Sequence, residues 1–213
     1  MERIICIAIG YVFGLFQTGY FYGLSKKIDI RKYGSGNAGT TNTLRTLGWK
    51  AGIITFIGDS MKCVLAVLLV RFIFGQDHEA ISLLSMYAGA GVVLGHNYPC
   101  YMNFKGGKGI AATVGLVLST NPVMFLIVAA IFAAIVLTTR YVSLGSIVIM
   151  IVFVIEVVIY GQHGGFHLEG ALLYELYVLA SFLAVLAVVR HRANIKRLLS
   201  GTENKFGVIN KVK

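Results

Sequence analysis

Six long apolar runs, joined by short segments that carry most of the lysines and arginines, constrain this sequence more than any other feature. They are Ile4 to Leu24, Ala51 to Phe74, Ala80 to Gly95, Pro122 to Thr139, Tyr141 to Tyr160 and Ala171 to Val189. A helix needs roughly 17–25 mostly apolar residues to cross a hydrocarbon core of about 30 Å. A seventh run, Gly109 to Thr120, has about twelve residues and reads as a short helix or a re-entrant segment. The turn signal Ser119–Thr120–Asn121–Pro122 joins it to the next span. Only 13% of the residues are charged, where a soluble domain carries about a quarter. No polar stretch is long enough for a separate core, so residues 1–213 form a single membrane-embedded domain. The first run lacks a small-residue cleavage site followed by a polar mature domain, and reads as an uncleaved span.

Charge orients the stack. With seven crossings, Lys26, Lys27, Arg31, Lys32, Arg45, Lys50, Lys105, Lys108, Arg140 and the seven basic residues from Arg190 onward share one face, sixteen of nineteen. The opposite loops, Gly75 to Glu79 and Gly161 to Gly170, carry only Asp77, Glu79 and Glu169. The expected fold is an all-α integral membrane protein of seven transmembrane helices, with its N-terminus outside and its C-terminus cytoplasmic. A net charge of +10, divided among loops, suits an anionic substrate or membrane surface and not a nucleic acid. Cys6, Cys63 and Cys100 have no pairing or metal-ligand pattern, so neither a disulfide nor a metal site is expected.

Three cytoplasmic clusters, within about residues 25–50, 95–109, and 140–143 with 190–204, have the composition of chemistry. In Gly34-Ser-Gly-Asn-Ala-Gly-Thr-Thr-Asn-Thr-Leu-Arg45, glycines allow close backbone approach to an anion. Ser35, Thr40, Thr41 and Asn42 add donors, and Arg45 forks onto a phosphate; a flexible polar loop has the same composition. In the second, His96 lies in Gly95-His-Asn-Tyr-Pro99, followed by Phe104-Lys-Gly-Gly-Lys-Gly109. Lys105, Gly106, Gly107, Lys108 and Gly109 at a helix start make a phosphate cradle, or simply anchor a span at the headgroups. The third is Ser143 after Arg140, with His191 and Asn194 three apart on a continuing helix. Lys196 and Arg197 read as membrane anchors. Asp59 and Lys62, three apart inside the second span, read as a structural ion pair, whereas Glu156 and Glu175 reach water at the outer ends.

GSGNAGTTNTLR, GHNYPCYMNFKGGKG and HRANIKRLLSGTEN together resemble the three motifs of the bacterial acyl-phosphate:glycerol-3-phosphate acyltransferases, over nearly the whole chain. The resemblance implies transfer of a fatty acyl group from acyl phosphate to the 1-hydroxyl of glycerol 3-phosphate, making lysophosphatidic acid, with the site on the cytoplasmic face of the inner membrane. It assigns Arg45, Lys108, Ser143, His191 and Asn194 to glycerol 3-phosphate, Ser35 and Asn37 to shaping the first loop, and Glu203 to a structural role. The Phe104–Gly109 loop would hold the acyl phosphate. No cofactor is implied. A soluble phosphate acyltransferase that makes acyl phosphate is an expected partner, beside membrane lipid. Either His191 or an oxygen of the donor phosphate takes the hydroxyl proton. None of the five histidines has Asp five positions on, so the His–Asp pair of another large acyltransferase group is not encoded. A transporter for a phosphorylated or anionic metabolite is the alternative.

Overall fold

The computed structural model describes residues 1–207; Lys211 and Lys213 of the basic tail lie outside them. Ten α-helices, α1 (Glu2–Leu15), α2 (Thr18–Ser25), α3 (Thr40–Leu47), α4 (Trp49–Phe74), α5 (Ile81–Asn97), α6 (Ile110–Thr120), α7 (Pro122–Thr139), α8 (Val142–Gln162), α9 (Gly170–Arg190) and α10 (Arg192–Leu199), account for nearly all of the regular structure. Five helical stretches are long and apolar enough to span a membrane: Glu2–Ser25 taken across the α1–α2 break, α4, α7, α8 and α9. The short run is the 11-residue α6, and the turn signal after it holds. Asn121 caps α7, its Oδ1 accepting from Val123 N at 2.7 Å, with Pro122 in the first helical turn.

The centre of the bundle is α5, buried along most of its length. It packs on α1 through two glycine pairs, Gly10 with Gly14 and Gly91 with Gly95. A Cβ at Gly91 would strike Ile7 O, and one at Gly95 would strike Tyr11 O; Gly10 and Gly14 face Ala88 O and Val92 O in return. Small residues four apart bring helix backbones together where lipid supplies no hydrophobic drive between helices. Gly95→Val should therefore push α1 off α5 and cost at least the ~1–3 kcal/mol typical of overpacking. Thermal unfolding in detergent checks this, with a clear fall in melting temperature expected.

The first apolar run is not one helix. It breaks at Phe16–Gln17, and buried polar groups satisfy the freed carbonyls. The Lys62 ammonium donates to Phe16 O at 2.6 Å, to Asp59 Oδ1 at 3.0 Å and to His96 Nδ1 at 2.8 Å. Gln17 Nε2 donates to Gly14 O and His96 O, at 3.1 and 3.0 Å. The Asp59–Lys62 pair is thus structural, as its spacing suggested, and it also holds a broken helix.

Of the two acids expected to reach water, Glu175 does, its side chain 30% exposed, and Glu156 does not. Arg3 clamps Glu175, with Nη2 2.7 Å from Oε2, and Tyr87 Oη donates to Glu175 at 2.6 Å. The Glu156 carboxylate oxygens are buried without a hydrogen-bond partner among the described residues. The Arg3 clamp places the start of α1 beside the start of α9. The three motif clusters lie at the other end of the bundle.

Candidate functional site

At that end a cavity of about 420 Å³ opens between two unlike walls. One is polar: Ser35, Asn37, Thr40, Thr41 and Arg45 from the first cluster, Lys108 and Gly109 from the second, and Ser143, His191, Asn194, Arg197 and Glu203 from the third. The other is apolar, with Phe56, Val114, Phe125, Val128, Phe132 and Ile149 from α4, α6, α7 and α8. The first residues of α3, α6 and α8 all line it. Their unpaired N–H groups and positive dipole ends add to Arg45, Lys108 and Arg197, giving a strongly anion-attracting space.

The first cluster folds as a turn that its own glycines permit. Gly34 and Gly36 have φ of +59° and +71°, values that favour glycine. Buried Asn42 pins the turn: its Oδ1 accepts from Ser35 N at 2.8 Å, and its Nδ2 donates to Ile30 O and Tyr33 O at 3.0 and 3.1 Å. That side chain's bonds shape the loop, while Thr40 Oγ1 is buried and unpartnered among the described residues.

The second cluster departs from the expected Gly-Gly cradle. Gly106 N donates to Asn97 O and Gly107 N to His96 O, at 3.1 and 3.0 Å, which closes the end of α5. Their carbonyls accept from Arg190 Nη2 at 3.1 and 2.8 Å. The two glycine amides are therefore committed to protein partners, and the donors open to an anion lie at the start of α6. Lys105 is exposed, and Lys105, Gly106 and Gly107 are not on the cavity wall. Gly109 caps α6 at φ +81°, where a Cβ would meet Val93 and Asn97.

The third cluster converges by a different path than a continuing helix. The chain turns at His191 between α9 and α10, so His191 and Asn194 reach the cavity from two elements. The Lys108 ammonium donates to Asn194 Oδ1. Asn194 Nδ2 donates to Glu203 Oε1 at 2.8 Å, and Arg197 Nε to Glu203 Oε2 at 2.9 Å. Arg197, read as an anchor, is thus part of the site. Past Glu203 the tail straps over to Arg140, whose Nη2 donates to Phe206 O at 2.9 Å.

Electrostatics sort the titratable groups. Burial, with Glu203 opposing and neighbouring arginines assisting, pushes Lys108 down to about 8. Burial and the Lys108 charge push His191 down to about 4. His191 Nδ1 lies 2.7 Å from Ala187 O. A carbonyl only accepts, so Nδ1 carries the proton and Nε2 is an open acceptor. Ser143 Oγ is buried without a partner among the described residues.

Ser35, Asn37, Asn42, Arg45, His96, Lys108, Gly109, Ser143, His191, Asn194 and Glu203 are thus brought together. Thr40 and Thr41, noted as loop donors, join them. The apolar wall had no signal apart from the spans that carry it.

Residues 4–201 match the family model described as glycerol-3-phosphate acyltransferase. A curated glycerol-3-phosphate acyltransferase of Thermoanaerobacter sp. (strain X514) is 40% identical, over 100% of each chain. Two solved structures share the fold, both of PlsY (YgiH), an integral membrane glycerol 3-phosphate acyltransferase. The glycerol 3-phosphate form has a TM-score of 0.82 at 33% identity, covering 97% of this chain and 96% of that one. The lysophosphatidic acid form has a TM-score of 0.80 at 32% identity, covering 98% and 97%. With the whole chain matched in sequence and in fold, this integral membrane protein belongs to the glycerol-3-phosphate acyltransferase family.

Proposed function

We propose that the chain moves a fatty acyl group from acyl phosphate to the 1-hydroxyl of glycerol 3-phosphate, releasing lysophosphatidic acid and inorganic phosphate. The observation that carries this reading is the two-walled cavity, cationic and rich in helix N-termini on one side and apolar on the other. Two phosphate-bearing reactants need the first wall, and a fatty chain needs the second. The solved relatives hold glycerol 3-phosphate and lysophosphatidic acid, which supports the acceptor and the product.

The hydroxyl oxygen attacks the acyl carbonyl carbon, and the bond from that carbon to the phosphate oxygen breaks. A mixed anhydride is already activated, so no acyl-enzyme is required. The protein supplies position and electrostatics. Arg45, Lys108, Asn194 and Ser143 hold the glycerol phosphate, and the start of α6 faces the donor phosphate. His191, held near 4, is neutral at pH 7 and a weak base. It accepts a hydrogen bond, and a donor phosphate oxygen takes the proton. His191→Ala should then raise KM for glycerol 3-phosphate more than it lowers kcat. A collapse of kcat at unchanged KM would restore His191 as the base.

Lys108 gives a pH signature. With its pKa held down to about 8, it loses its charge as pH rises through that value. The kcat/KM for glycerol 3-phosphate should fall along this limb, and Lys108→Arg should move the limb upward. A limb unmoved by the arginine would assign it to another group.

We place the chain as a single domain with seven crossings in a bacterial inner membrane, N-terminus outside, site facing the cytoplasm. The cations that the described residues gather at the motif face support this, as does the Arg3–Glu175 clamp, which sets the starts of α1 and α9 at one level. Acyl phosphate would come from a soluble phosphate acyltransferase. Purified protein in detergent, given acyl phosphate and labelled glycerol 3-phosphate, should yield lysophosphatidic acid. Product from acyl-CoA or acyl carrier protein, with none from acyl phosphate, overturns the donor assignment.

A further inference from the structure

Arg190, the last residue of α9, reads as one more cation at the headgroups, but its guanidinium turns back into the protein. It lies over the Tyr98 ring, 5.2 Å from the centroid. Both protons of Nη2 are engaged, with Gly106 O at 3.1 Å and Gly107 O at 2.8 Å. The loop presses closely on the end of α5 here. A Cβ at Gly106 would strike His96 O, and one at Gly107 the His96 ring. Without side chains, the two glycines are held through their backbone alone, and glycine gives up the most conformational freedom when fixed. A peptide unit is planar, so a bond to its oxygen also sets the N–H and Cα that follow. The Gly106–Gly107 unit is gripped at both ends, its oxygen by Arg190 and its N–H by His96 O at 3.0 Å. The Gly107–Lys108 unit is gripped at its oxygen by Arg190, and that unit carries the Lys108 backbone.

We infer that Arg190 is a positioning residue for the acyl transfer: it fixes the two peptide units ahead of Lys108 and so aims the Lys108 ammonium at the phosphate of glycerol 3-phosphate. The assignment rests on the reading that Lys108 holds that phosphate. Arg190 is off the cavity wall, so it acts through Lys108 and not on the substrate. The next residue in the chain, His191, lines the cavity. One turn at the end of α9 thus places His191 in the site and sets the lysine of the second cluster beside it. A guanidinium suits this task better than an ammonium. Its planar fork presents N–H groups in fixed directions and stacks on an aromatic face, and Tyr98 supplies that face.

The experiment uses the full chain in detergent with palmitoyl phosphate and glycerol 3-phosphate. Arg190→Met keeps the stem and loses both donors. Arg190→Lys keeps the charge but not the fork that reaches two carbonyls at once. Losing hydrogen bonds from a charged donor corresponds to a fall of about 10–100-fold in kcat/KM for glycerol 3-phosphate. That fall is expected for Arg190→Met, carried mainly by KM, and Arg190→Lys should recover part of it. The deciding measurement is a double-mutant cycle with Lys108→Met. Because Arg190 works through Lys108, its replacement should cost about twofold or less once position 108 is already changed. A folded Arg190→Met with unaltered kcat/KM overturns the proposal. So does a fall confined to kcat, or a loss that multiplies with that of Lys108→Met. Should Arg190→Met fail to fold, Arg190→Lys carries the same cycle: a loss that disappears beside Lys108→Met supports the assignment, and one that persists overturns it. Lys108→Met at wild-type kcat/KM would instead sink the phosphate reading beneath the assignment, whereas an additive cycle on an impaired Lys108→Met sinks the Arg190 role alone.

Discussion

Lys108→Met should lower kcat/KM for glycerol 3-phosphate by about 10²–10³-fold while leaving the protein folded. Truncating one partner of a desolvated, hydrogen-bonded charge pair costs about 2–5 kcal/mol, and each 1.4 kcal/mol is about a decade. Lys108 joins the second cluster to the third at the cavity, through Asn194. It is also half-buried against the cavity, where water screens it little. The fold survives because its partner is a neutral amide, and Glu203 keeps Arg197 and the Asn194 Nδ2 donor. Lys105→Met provides the contrast. Lys105 is exposed and off the cavity wall, so its loss should change activity by about twofold or less, in the range of a single surface charge. Steady-state kinetics on both variants, with melting temperatures alongside, decide the matter. Equal losses would mean that the whole Lys105–Lys108 stretch forms the cradle, as composition alone suggested. A Lys108→Met enzyme near wild-type activity would remove Lys108 from the phosphate site.

The gap between those two lysines shows what a sequence carries and what it does not. Spans, loops and the one-sided cations are local or periodic properties, legible because lipid demands long apolar runs. So was the convergence of most site residues, since three motif-bearing loops at one end of a bundle have few other places to meet. The use of backbone donors was not legible. Gly106 and Gly107 look free in a string of letters, but their amides close the end of α5, a bond that depends on how the loop folds back. Arg197 looked like an anchor because Glu203, which turns it into the site, follows an unpredicted turn. The Arg3–Glu175 clamp joins residues 172 apart, beyond any local signal. Two missed features did leave traces. Gly10-x-x-x-Gly14 and Gly91-x-x-x-Gly95 carry the spacing of a close helix crossing. Gln17, a lone amide in an apolar run, marks the break that it helps to satisfy.

Lys62→Met should produce the largest loss of stability in the chain, about 3–5 kcal/mol, the usual result of stripping one partner from a buried ion pair. Both members are deep within the bundle, the Asp59 side chain 1% exposed and that of Lys62 5%. Once the ammonium is gone, Asp59 keeps Thr18 Oγ1 at 3.0 Å but has no opposite charge, and its Oδ2 is already without a partner. Asp59→Asn in the same chain removes the stranded charge and should restore much of the stability. Recovery will be incomplete, because Phe16 O and His96 Nδ1 still lose a donor, at about 1 kcal/mol each. A double-mutant cycle on unfolding in detergent should therefore give a coupling of about 2–3 kcal/mol, the upper range for residues in one network. Additive losses would show that the pair is not coupled, and that the helix break at Phe16 stands without it. Strong coupling would make the broken helix a consequence of one cation held among Gly14 O, Phe16 O, Asp59 Oδ1 and His96 Nδ1. The ammonium that holds α1 open at Phe16 would then also fix the His96 ring at the edge of the cavity.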